Sequence, residues 1–522
     1  MSRPAERPLT YRPMLLSAGM HAVAARTPGK VAMTGGPAPR TYGELMARVR
    51  RLTGGVIRHG LRQGDRVAIL AYNCIEYPEL VIGLSDAGAV TATLNPRSTA
   101  HEVRVACEDC NARLLFVSPA LADLVATPPA GVERVIVLGN DYEAFLATSP
   151  EAPGPIAGLE EHDPFSLVYS SGTTGHPKGI VLPHRSRVLT FHAMAMEFGC
   201  YGPDDLHLGI APMAHGAGLA FSLATLFFGG TLHVLPKFDA GEVVELLATR
   251  PFTGTFMVPT HFQQIFALEP AFLERHRGQA KALRTIMSNA AALPMVLKEK
   301  IIAYWGEGLL FECYGSTEAG IVTSLRPQHV LSKPGSCGRA FGPTRIRLLD
   351  DDGREVKVNE VGELFSESPY LFNGYFNGPE GRGAAETAAV LRDGGVTAGD
   401  LARCDEDGFY YIVDRKKDMV VSGGINIYPR EIEEVLMRHP AIAECAVIGV
   451  PDEKWGEALR AFVVLRSGQS VEGTALEEFL RPVLAAFKVP RDYRAIDALP
   501  RNVGGKVLKK DLRSAGAEGR AL

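Results

Sequence analysis

Short apolar runs alternate with amphipathic segments from about residue 40 to residue 410. For example, "RVAIL" precedes "YPELVIGLSDAGA", and "GTFMV" precedes "HFQQIFAL". Continuous apolar runs followed by segments of helical periodicity are typical of parallel strands covered by helices on both faces. The chain has too many such units for one sheet. We therefore predict a large α/β domain in which parallel or mixed sheets are flanked by helices.

The pattern changes after residue 340 to short strands separated by tight turns. The segments "RIRLLDDDGREV" and "VGELFSES" have the pattern of short strands and turns, and the first contains an Asp-Gly dipeptide that is typical of a hairpin. These features predict a small antiparallel β subdomain.

A cluster of charged residues at positions 414–418 follows the apolar run "FYYIV". Beyond it, a Gly-Gly loop leads to Pro429, with Glu431 and Glu433 in the next turn, and this arrangement is typical of a helix N-terminus. The remaining residues alternate strand and helix patterns. We predict an N-terminal domain of residues 1–416, with a short hinge to a mobile α+β domain of residues 417–522.

The most apolar stretch, residues 218–235, contains a Gly-Gly break, Ser222 and His233. This composition predicts a buried helix followed by a strand rather than a membrane span. The N-terminal sequence "MSRPAERPLTYRP" carries charges and prolines where a signal peptide has an apolar region. We therefore expect a cytoplasmic protein.

The composition excludes several classes of protein. Hydrophobic residues make up 46% of the 522 residues and charged residues 22%, which is ordinary for a globular chain. A net charge of -4 gives no reason to expect nucleic acid as a partner. Eight cysteines are too sparse for a disulfide scaffold. The lone C-x-x-C of Cys107 and Cys110 favours ordinary thiols over a zinc or redox site.

The segment "YSSGTTGHPKG" at residues 169–179 combines glycines, hydroxyl groups and a lysine between a predicted strand at 165–169 and a predicted helix at 186–198. Backbone N–H groups, hydroxyl groups and an ammonium can together surround phosphate oxygens. Gly179 follows the lysine, so the spacing is not that of a Walker A loop. A glycine-rich turn without a ligand is the alternative. The candidate phosphate ligands are Ser170, Ser171, Gly172, Thr173, Thr174, Gly175 and Lys178.

A second candidate segment, "ECYGSTEAG", follows the apolar run "GLLFE". Glu318 offers a hard oxygen ligand for Mg2+, and Thr317 lies beside it. Tyr314 offers a flat aromatic face for a nucleotide base. By itself, this segment is a weak signal.

Five motifs in order, "YSSGTTGHPKG", "YGSTE", "AGDLA", "DRKKDMVVSGGINIYPREIE" and "PRNVGGKVLKK", resemble the signature motifs of the ANL superfamily of adenylate-forming enzymes. The chain is most similar to the acyl- and aryl-CoA synthetases, from Thr41 to Lys510. The resemblance implies that a carboxylate attacks the α-phosphorus of ATP, pyrophosphate leaves, and a thiol then displaces AMP. ATP, Mg2+ and coenzyme A are the implied cofactors.

The resemblance also implies roles for individual residues around the nucleotide. Residues 170–178 would hold the β- and γ-phosphates, while Thr317 and Glu318 would contact phosphate and Mg2+. Asp400 and Arg415 would bind the ribose hydroxyls. The residues implied around adenine are Asn289, Ala290, Ala291, Tyr314 and Gly315.

The resemblance implies four further roles, in catalysis and in the second half-reaction, in which the thiol displaces AMP. Lys506 would neutralise charge during adenylation, although a solvated lysine is the alternative because Lys509 and Lys510 follow it. The hinge position matches Lys417. Gly423 and Gly424 would line the pantetheine tunnel, or form a simple turn. His215 would act near the acyl pocket, with positioning as its main task.

The segments that match the acyl pocket are "HGAGLAF", "VPTHFQQ", "SNAAALP" and "GSTEAGIV". They contain no Arg or Lys that could pair with a second carboxylate, so we predict a monocarboxylic acid with an apolar tail, whether fatty, alicyclic or aryl. Small residues at Ala214, Ala217 and Gly218 would leave room for it.

Several positions depart from the family pattern. The chain has Ala214 where relatives often have an aromatic residue, Asn289-Ala290 where they often have Gly-Gly, and "VTAGD" at residues 396–400 in place of the usual aromatic-x-Thr-Gly-Asp. A stand-alone enzyme that loads a carrier protein and a non-catalytic nucleotide-binding protein are the alternative functions. The sequence also permits a homodimer.

Overall fold

The computed structural model describes residues 10–170, 178–376, 381–501, 507–514 and 519–522. The chain forms two compact units. The first comprises Met1–Ser332, Ala340–Thr344 and Glu367–Val396, and the second comprises Lys333–Arg339, Arg345–Ser366 and Thr397–Leu522. The predicted domain boundary at residue 417 lies inside the second unit and stays a prediction.

One sheet of the first unit is parallel except for its last strand. Its central strands are buried on both faces, which explains why they read as continuous apolar runs in the sequence. In spatial order, its strands are Arg134–Val137, Ala112–Val117, Arg66–Leu70, Val90–Leu94, Pro164–Ser170 and Lys178–Pro183.

A second sheet of the first unit is parallel in its centre and antiparallel at both ends. Parallel strands end at one edge of a sheet, so the loops that follow them, which carry His215 and Asn289, share that edge. In spatial order, it contains Gly320–Leu325, Leu310–Ser316, Thr285–Ser288, Gly254–Met257, Leu206–Gly209, Thr231–Val234, Val31–Thr34 and Arg40–Thr41.

Helices cover these sheets, as the sequence pattern predicted. The stretch at residues 218–235 forms the buried helix Gly216–Phe227 and the strand Thr231–Val234, which confirms that prediction. Within the described residues, no helix combines the length and apolarity needed to span a bilayer. The α-helices of this unit are Ala18–Arg26, Tyr42–Arg58, Glu76–Asp86, Ala100–Asp109, Asn140–Thr148, His184–Phe198, Gly216–Phe227, Ala240–Thr249, Pro259–Ile265, Pro270–His276, Met295–Trp305 and Gly383–Val390.

A buried carboxylate joins three of these helices. Glu79 is fully buried and accepts hydrogen bonds from Arg40 Nη1 at 2.7 Å, Arg48 Nε at 2.8 Å and the Tyr142 hydroxyl at 2.5 Å. Burial raises the pKa of Glu79, while Arg40 and Arg48 act in the opposite direction. The contacts therefore supply the partners that a buried carboxylate requires.

The second unit contains two sheets. The predicted hairpin after residue 340 is present, since Leu349 pairs antiparallel with Glu355. The strands of the smaller antiparallel region are Arg345–Leu349, Gly362–Glu367, Gly395–Cys404 and Tyr410–Arg415. Two further short strands are Arg339–Ala340, where the chain passes from the second unit to the first, and Leu391–Arg392, which belongs to the first unit.

The C-terminal part is a mixed sheet with helices, which confirms the predicted α+β class. The helix Pro429–Leu436 begins at the predicted proline. The strands are Val420–Ser422, Ile425–Ile427, Ile442–Asp452, Gly456–Leu465, Asp492–Ala495 and Arg520–Ala521, and the other helices are Gly473–Leu480 and Lys509–Arg513.

Candidate functional site

The predicted phosphate loop connects two antiparallel strands of the first sheet. Ser170 at the end of one strand pairs with Lys178 at the start of the next, so the two ends of the loop are adjacent. The residues between them lie outside the described part of the chain, as does the side chain of Ser170. The predictions on Ser171, Gly172, Thr173, Thr174 and Gly175 therefore remain predictions.

Lys178 is the predicted phosphate ligand whose side chain the structure describes. Its Nζ lies 3.1 Å from Glu386 Oε1 and 5.2 Å from the centre of the Tyr375 ring. The Lys178 side chain is 22% exposed, so both contacts act in a partly desolvated environment. Tyr375 was not predicted from the sequence.

Glu318 lies in the turn between the strands Leu310–Ser316 and Gly320–Leu325. The Tyr375 hydroxyl donates a hydrogen bond to Glu318 Oε1 at 2.8 Å. Burial, and then the charge of Glu318, raise the pKa of Tyr375 well above its usual value. The phenol therefore keeps its proton and donates to the carboxylate.

Thr317 lies beside the start of the helix Gly216–Phe227. A β-carbon added to Gly216 would lie 3.4 Å from both Thr317 Cγ2 and Oγ1. His215 is the N-cap of this helix, and the Asn95 amide lies 3.1 Å from its Nε2. Burial, and then the neighbouring Arg97, lower the pKa of His215, so the imidazole is neutral near pH 7. Thr317 therefore lies beside Gly216, the residue that follows His215.

The predicted adenine segment follows the buried strand Thr285–Ser288. Ala290 has a φ of 76°, in the left-handed region that a β-carbon disfavours, and the Asn289 side chain accepts a hydrogen bond from the Ala290 backbone. Ala291 is exposed. The departure from Gly-Gly to Asn-Ala therefore falls on a backbone conformation that favours glycine.

Tyr314 and Gly315 lie on the strand Leu310–Ser316, opposite Thr323 and Ile321 respectively. The register of this hairpin shifts between Tyr314 and Gly315, and Tyr314 is half-buried. The irregularity changes the direction of the strand just before Thr317 and Glu318.

Gly218 does not leave room for a substrate. A β-carbon at this position would lie 2.2 Å from the Pro212 carbonyl oxygen, so the space beside Gly218 is already filled by the backbone. Ala214 is also buried, whereas Ala217 is half-buried. The expectation that all three small residues widen a pocket was wrong for Gly218.

In the second unit, Asp400 and Arg415 face each other across two antiparallel strands. Arg415 Nε lies 3.1 Å from Asp400 Oδ1, and Asp400 is buried. Their pairing supports a joint role, since one carboxylate and one guanidinium can bind neighbouring hydroxyl groups together. Lys417, two residues beyond Arg415, has an exposed side chain.

Gly423 and Gly424 form the two-residue turn between the strands Val420–Ser422 and Ile425–Ile427. Both have a positive φ, 58° and 78°, which two-residue hairpins of type I′ require. A β-carbon on Gly423 would lie 2.8 Å from Trp455 Cε3, whereas Gly424 has open space. The turn alone explains both glycines, and their role towards pantetheine stays a prediction.

Lys506 lies outside the described residues. Beside that gap, Arg501 and Val507 form an antiparallel bridge. Cys107 and Cys110 are both buried, and no disulfide joins them. Across the described residues, no group of three His, Cys, Asp or Glu side chains could hold a metal ion.

Sequence reasoning missed Tyr375 and Glu386. Tyr375 approaches Glu318 and Lys178 from a segment about 60 and 200 residues away, and its backbone forms a bridge with Ile180. No local spacing carries that information. The only local signal is an aromatic residue after Gly374, whose φ is 108°.

Comparison with known proteins identifies two family profiles along the chain. A profile described as "AMP-binding enzyme" matches residues 20–376, and one described as "AMP-binding enzyme C-terminal domain" matches residues 431–506. The first match alone covers more than half of the chain.

Similar proteins cover nearly the full length of the chain. A feruloyl-CoA synthase of Amycolatopsis sp. is 38% identical over 93% of this chain and 96% of its own. The fatty acid–[acyl-carrier-protein] ligase ScoC of Streptomyces coeruleorubidus is 33% identical over 91% of each. The crystal structure of ATP-bound MatB from Rhodopseudomonas palustris superposes with a TM-score of 0.87 at 30% identity, covering 96% of this chain and 98% of that chain.

Proposed function

The chain belongs to the AMP-binding enzyme family and is an acid–thiol ligase, and from that premise we propose that it joins a monocarboxylic acid with an apolar tail to coenzyme A. In the first half-reaction, a carboxylate oxygen attacks the α-phosphorus of ATP and the bond to the β-phosphate breaks, which releases pyrophosphate. In the second, the thiol sulfur attacks the acyl carbon and AMP leaves.

The observation that carries the proposal is the contact set around Tyr375. Lys178 ends the predicted phosphate loop and Glu318 is the predicted metal ligand, and Tyr375 contacts both. An ammonium can pair with phosphate oxygens, and a carboxylate can bind the divalent cation that the phosphates carry. Two such groups held by one neighbour therefore suit a nucleoside triphosphate with its metal ion.

The donor set fits Mg2+. Glu318 offers a hard carboxylate that would hold the ion, and its Oε1 accepts a hydrogen bond from the Tyr375 hydroxyl. Mg2+ is usually held by one or two carboxylates together with substrate phosphates, so one acidic ligand suffices. When bound, the ion would neutralise phosphate charge.

The other predicted site residues bind the nucleotide and orient the acyl group and the thiol. We assign the ribose hydroxyls to the Asp400–Arg415 pair, and the adenine to the segment around Asn289 and Tyr314. The neutral imidazole of His215 accepts from Asn95 and can position the acyl group or the incoming thiol without adding charge. Lys417 would act as the hinge, and Gly423 and Gly424 would allow the pantetheine arm to approach.

The apolar tail follows from the character of the candidate pocket segments and from the relatives. Phe221, on the helix that His215 caps, stacks on Phe256 with ring centres 4.3 Å apart, and both side chains belong to the hydrophobic core. The named substrates of relatives include ferulate and fatty acids, both monocarboxylic acids with large apolar parts. We keep both classes, aryl and aliphatic, within the proposal.

A second candidate function is the loading of a carrier protein. The relative ScoC is named as a ligase for an acyl carrier protein, so the thiol acceptor can differ among similar chains. The acceptor in that case is a phosphopantetheine thiol attached to a partner protein, and the first half-reaction is unchanged.

Pyrophosphate release tests the function directly. The protein is supplied with ATP, Mg2+ and a panel of fatty, alicyclic and aryl acids, with CoA, with a phosphopantetheinylated carrier protein, or with neither, and thioesters are detected by mass spectrometry. We expect acid-dependent release and a CoA thioester. Acyl-AMP that is transferred only to the carrier protein would establish the second function, and no release with any acid would refute both.

We predict that Lys506→Ala reduces adenylation by a hundredfold or more, because its ammonium neutralises charge that develops on the reacting groups. Formation of the thioester from supplied acyl-AMP should change little. The measurement is single-turnover kinetics of each half-reaction, with Lys510→Ala as the matched lysine control. An equal loss in both half-reactions would contradict the assignment.

A further inference from the structure

Residues 372–376, the bridging segment, run beside the strand that leaves the predicted phosphate loop. The Phe376 N–H donates to the Gly179 carbonyl at 2.7 Å, and the Val181 N–H donates to the Gly374 carbonyl at 3.0 Å. The segment is therefore attached by backbone hydrogen bonds directly next to Lys178.

The same segment is attached to the turn that carries Glu318. The Phe372 N–H donates to the Glu318 carbonyl at 2.9 Å, and the Tyr375 hydroxyl donates to the Glu318 carboxylate at 2.8 Å. The Tyr375 N–H donates to Thr387 Oγ1 at 2.8 Å, which fixes the backbone from a third side. Glu318 is thus restrained through both its backbone and its side chain.

Tyr375 also contacts Lys178 through its ring. The ammonium lies 5.2 Å from the ring centre, within the range of a cation–π contact, and Glu386 Oε1 lies 3.1 Å from the same Nζ. The hydroxyl and the ring of one side chain therefore serve two different charged groups.

We propose that Tyr375 is a positioning residue of the nucleotide site, which orients the Glu318 carboxylate towards the metal ion and sets the place of the Lys178 ammonium. Groups that hydrogen-bond to a metal ligand fix its orientation, and their loss typically weakens metal binding about 10- to 100-fold. Tyr375 acts through Glu318 and Lys178 and does not touch reacting atoms. The inference rests on the proposed roles of those two residues.

The hydroxyl and the ring can be separated by substitution. Tyr375→Phe keeps the ring beside Lys178 and removes the bond to Glu318, so it should weaken the binding of MgATP about tenfold. It should leave the affinity for AMP unchanged, because the binding of AMP does not require the metal ligand. Tyr375→Leu should weaken MgATP further, since the ring beside Lys178 is also lost.

The experiment is calorimetric titration of the full-length protein with ATP in Mg2+, with ATP in EDTA, and with AMP. The variants are Tyr375→Phe, Glu318→Gln and the double variant. If Tyr375 acts through Glu318, the double variant binds MgATP no more weakly than Glu318→Gln alone. Fully additive losses would overturn the inference.

Two controls, a further variant and the affinity for AMP, separate positioning from general damage. Thr387→Val removes the acceptor of the Tyr375 N–H and should weaken MgATP in the same direction as Tyr375→Phe. Loss of AMP binding in Tyr375→Phe would mean a structural role only.

The outcomes also distinguish the inference from the proposed function. If Glu318→Gln binds MgATP as tightly as the natural chain, the proposed role of Glu318 fails. If Glu318→Gln weakens binding and Tyr375→Phe does not, only the role of Tyr375 fails.

Discussion

At the scale of single residues, Gly423 and Gly424 share one turn but differ in their surroundings. Both backbones lie in the left-handed region, so an alanine at either position costs about 1–2 kcal/mol in conformational energy. Only at Gly423 would the added methyl also collide with the Trp455 ring, since Gly424 has open space. The exposed edge of Trp455 leaves the ring some freedom to move.

We therefore predict that Gly423→Ala destabilises the second unit by about 1 kcal/mol more than Gly424→Ala, because moving the ring adds to the same backbone cost. The chain has two tryptophans, so Trp305→Phe leaves Trp455 as the only indole. Urea unfolding followed by its fluorescence in that background measures the difference. Equal unfolding midpoints for the two variants would show that the ring contact contributes nothing.

At the scale of elements, the helices Tyr42–Arg58, Glu76–Asp86 and Asn140–Thr148 each place one polar side chain in the same buried cluster. Arg48, Glu79 and Tyr142 come from these helices in turn. A buried carboxylate with three donors restricts how the helices can slide, since every partner left unpaired is costly.

We predict that Glu79→Gln lowers the free energy of unfolding of the first unit by about 3 kcal/mol, because Arg40 and Arg48 lose the buried carboxylate that they share and keep only the less buried Glu76 and Glu143. Glu151→Gln is the control. Its carboxylate pairs with Arg50 and Arg51 but is half exposed, so the loss should stay under about 1 kcal/mol. Urea titration followed by Trp305 fluorescence in a Trp455→Phe background measures both.

At the scale of the whole molecule, buried histidines determine how stability responds to acid. Burial lowers the pKa of His184 to about 4 and of His207 to about 3, and burial together with a nearby arginine lowers that of His233 and His261 to about 4. Between about pH 4 and the ordinary value near 6.5, the unfolded chain binds protons that the folded chain does not. The buried histidines therefore lower the stability as the pH falls through this window.

We expect the unfolding midpoint of the first unit to decrease steadily from pH 7 to pH 5, with each such histidine contributing up to about 1.4 kcal/mol per pH unit. His207→Phe should reduce this slope, because the ring stays beside Tyr201 but no longer titrates. Denaturant titrations at several pH values give the slope. An unchanged slope in His207→Phe would contradict the assignment of the effect to buried imidazoles.

The sequence predicted the layered fold because local periodicity reports burial. The helix at residues 216–227 and the strand at 231–234 followed from an apolar run and its glycine break, and the helix at Pro429 followed from its first turn. The contacts of Tyr375 could not be predicted, since they depend on how strands far apart in the chain pair. The space beside Gly218 was also misjudged, because a missing side chain does not reveal which backbone atoms fill its place.

The bridging segment has a consequence for which length changes the chain tolerates. Phe372 and Phe376 are held by backbone hydrogen bonds to Glu318 and Gly179, so one extra residue between Phe372 and Tyr375 would shift the phenol out of its place beside Glu318. Residues 126–128 are exposed and carry no such constraint. Insertions in a randomised library should therefore be lost at residues 372–376 and tolerated at 126–128.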